Sequence, residues 1–205
     1  MERISADTGN RRELIAKVVE VLQRGGLVVY PTETVYGLGV DATSEKAPEK
    51  LWRFKGERGD KPVLVAVSGR QMASEYVNFT ELGKKVTQKY WPGAVAVLAL
   101  SKNKVSKKAQ GSSENLGLRN PDNKMILDVI KALGKPITST SANVSGAVTA
   151  KSYSEFLATV PSARQELIDL FVDAGELPLR QPSTIVDTTG SELKVLREGE
   201  VKVII

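Results

Sequence analysis

The stretch GLVVYPTETVYGLG, residues 26–39, decides how the rest of the chain is read. Leu27 to Tyr30 is an apolar, β-rich run that predicts a buried strand, and Pro31 ends it because proline has no N–H for a sheet ladder. Past that stop come Thr32, Glu33, Thr34, Tyr36, Gly37 and Gly39. Thr32 and Thr34 lie two apart and share a face of an extended chain, with Glu33 opposite. The two glycines permit close backbone approach. A polar, tightly turned segment at a strand end is where α/β proteins hold ligands. The same residues also suit a capped strand-to-helix turn, so this stretch alone leaves both readings open.

Working outward, strand and helix patterns alternate. Leu14, Ile15, Val18, Val19 and Leu22 recur at helical spacing between Asn10 and Arg24, and Gly25-Gly26 ends that helix. Ser44 and Pro48 flank the start of a short helix through Leu51, Trp52 and Phe54. Further helices are predicted over 82–90 and 125–133. Strands are predicted over 63–67, 94–100 and 116–118, from Ile137 into Thr138-Ser139-Thr140-Ser141, and over 170–172, 184–186 and 193–196. The stretch SKNKVSKKAQGSS, residues 101–113, reads as a solvated surface loop in preference to a dedicated nucleic-acid contact. This alternation predicts an α/β fold with a mixed sheet flanked by helices, in one domain over residues 1–205.

Composition narrows the chemistry. With 41% hydrophobic and 26% charged residues the chain is ordinarily globular, and no apolar run reaches the length of a membrane span. Its charged start, MERISADTGNRREL, is not a secretory signal, and the lack of cysteine fits a reducing, cytoplasmic setting. With no cysteine and no histidine, a serine–histidine triad, a cysteine nucleophile, thiolate or imidazole zinc, and haem are excluded. What remains is hydroxyls, carboxylates, lysines, arginines, backbone amides or a hard cation such as Mg²⁺. The net charge of +5 suits an anionic partner, either small-molecule phosphates or nucleic acid.

Three later clusters echo the first. KGERGDKP, residues 55–62, brings Lys55, Arg58 and Lys61 together in a segment able to clamp a polyphosphate, although it is not a GxxxxGK[ST] loop. As plainly, it could be a charged surface turn with Glu57 and Asp60 neutralising their neighbours. STSANVSG, residues 139–146, packs hydroxyls and a carboxamide at a strand end, which suits phosphate or ribose as well as ordinary turns. PSTIVD, residues 182–187, repeats the hydroxyl-plus-strand theme. Arg119, at the end of a short apolar strand, is a candidate for a substrate carboxylate or, as ordinarily, an exposed rim arginine, and Arg197 follows another such strand. Tyr90-Trp91-Pro92-Gly93 reads as packing and a turn.

In this order the clusters resemble the YrdC family of threonylcarbamoyl-AMP synthases over almost the whole chain. The resemblance is carried by YPTETVYGLG at 30–39, the basic segment at 55–62, WPG at 91–93, GLR ending in Arg119 with Pro121-Asp122, STSANVSG, PSTIVD and LREG at 196–199. It implies a twisted, open mixed sheet flanked by helices around a concave basic cavity, in the short single-domain form. It also implies that L-threonine, bicarbonate and ATP give threonylcarbamoyl-AMP and pyrophosphate. That product serves the N6-threonylcarbamoyladenosine modification of tRNA position 37 through a downstream threonylcarbamoyl-transferase complex.

By the same resemblance, Thr34, Arg119, Ser139 and Ser183 hold threonine. Lys55, Lys61, Ser141, Asn143, Thr149 and Arg197 surround the nucleotide. Lys55, Arg58 and Lys61 stabilise charge during transfer, and Mg²⁺ enters through the ATP phosphates, with no metal ligand from the protein. The chain departs from the family pattern where Lys-x-Arg becomes Lys55-Gly56-Glu57-Arg58, and where some relatives carry a histidine it has Ala66. The long hydrogenase-maturation carbamoyltransferases that share the module carry cysteine-rich zinc segments, which this chain lacks. A protein of the same fold that binds tRNA or double-stranded RNA without synthase activity is the alternative.

Overall fold

The computed structural model describes residues 1–7, 9–56 and 60–205. In chain order its first elements are β1 (Glu2–Ser5), α1 (Arg11–Gln23), β2 (Val28–Tyr30), β3 (Gly37–Gly39) and α2 (Ala47–Lys55). Next come β4 (Val65–Ala66), α3 (Arg70–Tyr76), β5 (Val77–Asn78), α4 (Glu81–Tyr90) and β6 (Val95–Ser101). They are followed by α5 (Lys107–Gln110), β7 (Asn115–Arg119), α6 (Lys124–Leu133), β8 (Ile137–Thr138) and β9 (Thr140–Ser141). The last are α7 (Tyr153–Thr159), α8 (Ser162–Gln165), β10 (Leu170–Asp173), β11 (Thr184–Asp187) and β12 (Lys194–Arg197).

The strands form two mixed sheets, one ordered β1-β10-β2-β3-β9 and the other β12-β11-β6-β7-β4-β8, with β5 paired to the far end of β6. In the first sheet side chains alternate between two filled faces, as the period of a strand requires. Val28, Tyr30, Leu170 and Val172 pack with Leu14, Val18 and Leu22 of α1 and Ile126, Val129 and Ile130 of α6. Val29, Leu38 and Phe171 turn the other way, onto Leu51 and Phe54 of α2 and Phe156 of α7. The second sheet fills one face: Val95, Val97 and Val186 pack with Val86 of α4, and Leu116 and Leu118 with Ala73 and Tyr76 of α3.

The helix ends follow local chemistry. Asn10 accepts from Glu13 N to cap α1, Asn123 from Ile126 N to cap α6, and Gly134 closes α6 in the left-handed region (φ 69°). Ser44 Oγ accepts from Ala47 N at the start of α2, where Pro48 sits in the first turn.

Three expectations change. The strand expected over 63–67 is reduced to Val65–Ala66, flanked by single backbone bonds from Ser139 N to Leu64 O and from Val67 N to Arg119 O, while Val63 N turns away to Ala109 O. The expected loop at 101–113 contains α5, capped by Ser106, with Val105, Ser106, Ala109 and Gln110 buried and the lysines outside. Its charges concealed an apolar footing. The strand expected from Ile137 is two short strands in different sheets: β8 pairs with β4, and β9 pairs with β3.

Candidate active site

Ser139 lies where the chain passes from one sheet to the other, between β8 and β9. That seam opens onto a cavity of about 330 Å³. Its floor is the uncovered face of the second sheet, where Leu98, Gly117 and Ile185 alternate with the core residues of their strands. At Gly117 a Cβ would come within 2.5 Å of Leu64 Cδ2, so a side chain there would displace the end of Leu64. The walls are strand ends and turns: Thr32, Thr34 and Gly37 from one side, Ser139, Thr140 and Ser141 from the seam, and Ser183 and Arg197 from the other.

The YPTETVYGLG segment folds as a hydroxyl-stapled turn running into β3. Thr32 Oγ1 accepts from Thr34 N (3.1 Å) and Val35 N (3.2 Å) and donates to Val35 O (2.7 Å). β3 then returns antiparallel to β2, so Gly39 crosses the Tyr30 ring, where a Cβ would lie 2.8 Å from Cε1. Burial pushes the Tyr30 phenol up to about 12, so it stays protonated and donates to Thr138 O (3.2 Å).

Arg119 projects from the end of β7 into the cavity, with only 5% of its surface exposed. Its Nη2 donates to Glu33 Oε1 (2.5 Å) and Thr34 Oγ1 (3.2 Å). Arg197 Nε and Nη2 both donate to Ser183 O (3.1 and 2.7 Å). Burial and, after it, the charge of Arg119 lower the Arg197 guanidinium below its ordinary value. Two guanidiniums therefore face one cavity, an arrangement that favours an anion between them.

Of the residues singled out in the sequence, the cavity lining brings together Thr34, Arg119, Ser139, Ser141, Ser183 and Arg197. Lys55 and Asn143 stand behind the wall. Lys55, 4% exposed, donates through Nζ to Ser141 O (2.9 Å), Asn143 O (2.7 Å) and Asn143 Oδ1 (3.1 Å). Asn143 Oδ1 also receives the Ser141 hydroxyl (2.5 Å), its Nδ2 bonds Ala147 O, and Ser145 N bonds Lys55 O (3.0 Å). The end of α2 thus fixes the turn that presents Ser141. Thr149 is half-buried and Lys61 exposed, and neither lines the cavity. Arg58 lies outside the described residues.

Sequence reasoning passed over Glu33, Ser113 and Asn115. Asn115 stands on β7 two and four residues before Gly117 and Arg119, so period-two alternation from Arg119 finds it. Glu33 was visible only as the residue opposite the threonine pair, and its partner is 86 residues away. Among the described residues no group of three or more His, Cys, Asp or Glu is placed to hold a metal. Among them, too, no helix is long and apolar enough to cross a membrane.

A family model for Sua5, YciO and YrdC proteins, described as telomere recombination, matches residues 20–199. A threonylcarbamoyl-AMP synthase of Vibrio vulnificus is 31% identical over 188 residues, covering 90% of this chain and 98% of its own. The crystal structure of P. abyssi Sua5 complexed with L-threonine superposes with a TM-score of 0.86 at 25% identity, over 97% of this chain and 57% of that one. This chain therefore spans little more than half of Sua5. E. coli YciO superposes with a TM-score of 0.82 at 25% identity, covering 97% of this chain and 94% of its own.

Proposed function

The chain belongs to the Sua5/YciO/YrdC family, and on that premise we infer that it is a threonylcarbamoyl-AMP synthase, a nucleotidyltransferase of tRNA modification. It joins L-threonine, bicarbonate and ATP into threonylcarbamoyl-AMP, releasing pyrophosphate and water, for the N6-threonylcarbamoyladenosine of tRNA position 37. The observation that carries this reading is the convergence of Thr34, Ser139, Ser141 and Ser183 with Arg119 and Arg197 on one cavity. Small hydroxyls position a small polar substrate, and guanidiniums hold its carboxylate and phosphates.

In this reading the whole chain acts as one domain. Arg119 takes the threonine carboxylate, with Thr34, Ser139 and Ser183 around the amino acid. Ser141 and Arg197 meet the nucleotide on the wall. Lys55 and Asn143 set the turn behind Ser141, while Lys61, Arg58 and Thr149 keep the phosphate and nucleotide roles that the family resemblance implies. Threonine carbamate then attacks the α-phosphorus and pyrophosphate leaves. No side-chain nucleophile is needed, in keeping with a chain without cysteine or histidine. Catalysis is by positioning and charge stabilisation. Since no Asp or Glu of the described residues lines the cavity, Mg²⁺ fits as part of the nucleotide, held by phosphate oxygens rather than by protein.

A threonylcarbamoyl-transferase acting on tRNA consumes the product, in the cytoplasm where ATP and tRNA are found. Affinity for tRNA or double-stranded RNA is a separate property of this reading, to be measured by filter binding at two salt concentrations. The direct test is pyrophosphate release from ATP, Mg²⁺ and bicarbonate, with and without L-threonine, using serine and glycine as controls. Threonine-dependent release is the expected result. Background release from folded protein overturns the reading in favour of a binding protein.

A further inference from the structure

An amino acid enters the cavity as a zwitterion, and its α-ammonium must lose a proton before the nitrogen can bond to carbon. Among the described residues no Asp, Glu or Lys lines the cavity, and the chain contains no histidine or cysteine. One carboxylate stands immediately behind the wall. Glu33 Oε1 lies 2.5 Å from Arg119 Nη2, and the two side chains are 12% and 6% exposed.

The pair is half closed. A two-pronged fork would join Nε and Nη2 of the arginine to both carboxylate oxygens. Here Arg119 Nε and Glu33 Oε2 are each buried without a partner. A buried carboxylate oxygen with no donor is costly, which points to a donor supplied by a ligand. Thr34 Oγ1, on the cavity wall, accepts from the same Nη2, and Arg119 itself lines the cavity, so Glu33 stands one ion pair away from it.

We propose that Glu33 and Arg119 together read the zwitterion, Arg119 taking the α-carboxylate and Glu33 the α-ammonium, and that Glu33 accepts the ammonium's proton. The freed nitrogen lone pair forms the C–N bond to bicarbonate. A second amine proton leaves with the displaced hydroxide as water, giving the carbamate and a protonated Glu33. This deepens the synthase reading and rests on it.

Calorimetry on wild type and Glu33→Gln tests the proposal with two ligands: L-threonine, and 3-hydroxybutanoate, which keeps the carboxylate and β-hydroxyl but lacks the amine. Wild type binds threonine the more tightly. In Glu33→Gln threonine affinity falls about tenfold or more, while 3-hydroxybutanoate binding stays within about threefold, as expected when one charged contact is lost. Equal weakening of both ligands overturns the proposal, leaving Glu33 as a mere holder of Arg119. Equal tightening overturns it too, making Glu33 a competitor for Arg119.

Turnover gives the second readout. Pyrophosphate release by Glu33→Gln is low near neutrality and recovers as rising pH supplies free amine. A profile parallel to wild type overturns the proton-accepting role. Glu33→Asp, which keeps the charge, retains the preference for threonine and serves if Glu33→Gln does not fold. Wild type that binds no threonine and releases no pyrophosphate is a different failure, that of the synthase reading, and the proposal falls with it.

Discussion

The two sheets are built from the same alternation of side chains and use it differently. In β1-β10-β2-β3-β9 both faces are filled, with Tyr30 and Val28 on one core and Val29 and Phe171 on another. In β12-β11-β6-β7-β4-β8 the residues between the core positions, Leu98, Gly117 and Ile185, look into the cavity instead. The site lies where a sheet keeps the strand pattern but receives no covering helix. The first sheet supplies rigidity and the second a floor.

That contrast breaks most readily at Phe171, whose ring meets Tyr36, Tyr153 and Phe156 at 5.0–5.3 Å between centroids. Phe171→Ala is expected to cost about 3–5 kcal/mol of stability in urea unfolding. On the cavity side, Arg119→Ala removes the carboxylate fork and strands Glu33. Threonine-dependent pyrophosphate release should lose about 2–5 kcal/mol in kcat/KM. Lys55→Ala sits at the boundary of the two regions. Losing its charge-assisted bonds to the 141–143 turn should lower stability by about 1.5–3 kcal/mol and reduce turnover as Ser141 loosens. Wild-type turnover in folded Lys55→Ala would separate that turn from catalysis. Leu98→Ala, on the half-open floor, should cost about 1 kcal/mol or less in stability while weakening substrate binding. A loss like that of Phe171→Ala would show the floor to be core.

The smallest effect concerns pH at the edge of the filled sheet. Asp173 is opposed by burial, but hydrogen bonds from Arg3 and Gly175 N, the Arg3 charge and Tyr36 outweigh it and hold its carboxyl below the ordinary value. A depressed folded value means stability present above the unfolded carboxylate range and lost as pH falls through the folded one. Because Arg3 is more than half exposed, solvent screens the effect. Arg3→Ala should slightly flatten the acid limb of a melting-temperature series.

Much of the frame was legible because it is local. The helix from Asn10, its glycine stop, the strand ended by Pro31 and the strands at 94–100 and 184–186 depend on spacing and turn residues within a few positions. Short elements were not: α3, α7 and α8 are too brief for a helical period to declare itself, and α5 hides among lysines. For the site, residue type was legible and arrangement was not. Ser139, Ser141, Ser183, Thr34, Arg119 and Arg197 were found as strand-end polar residues and do converge. Lys55 read as a phosphate clamp, yet its ammonium is turned to carbonyl and carboxamide oxygens of a turn 86–88 residues away.

The sequence by itself determined that the strand before Pro31 stops there, that the helices before Gly25 and Gly134 close on glycine, and that chemistry must proceed without imidazole or thiol. Tertiary structure alone decided that residues 137–141 divide between two sheets, that one sheet face stays open, and that Glu33 meets Arg119 across 86 positions. The physical reason is range. Backbone preference and side-chain period act over a few residues, whereas a buried ion pair, a seam and an uncovered face exist only once distant segments have packed and excluded water.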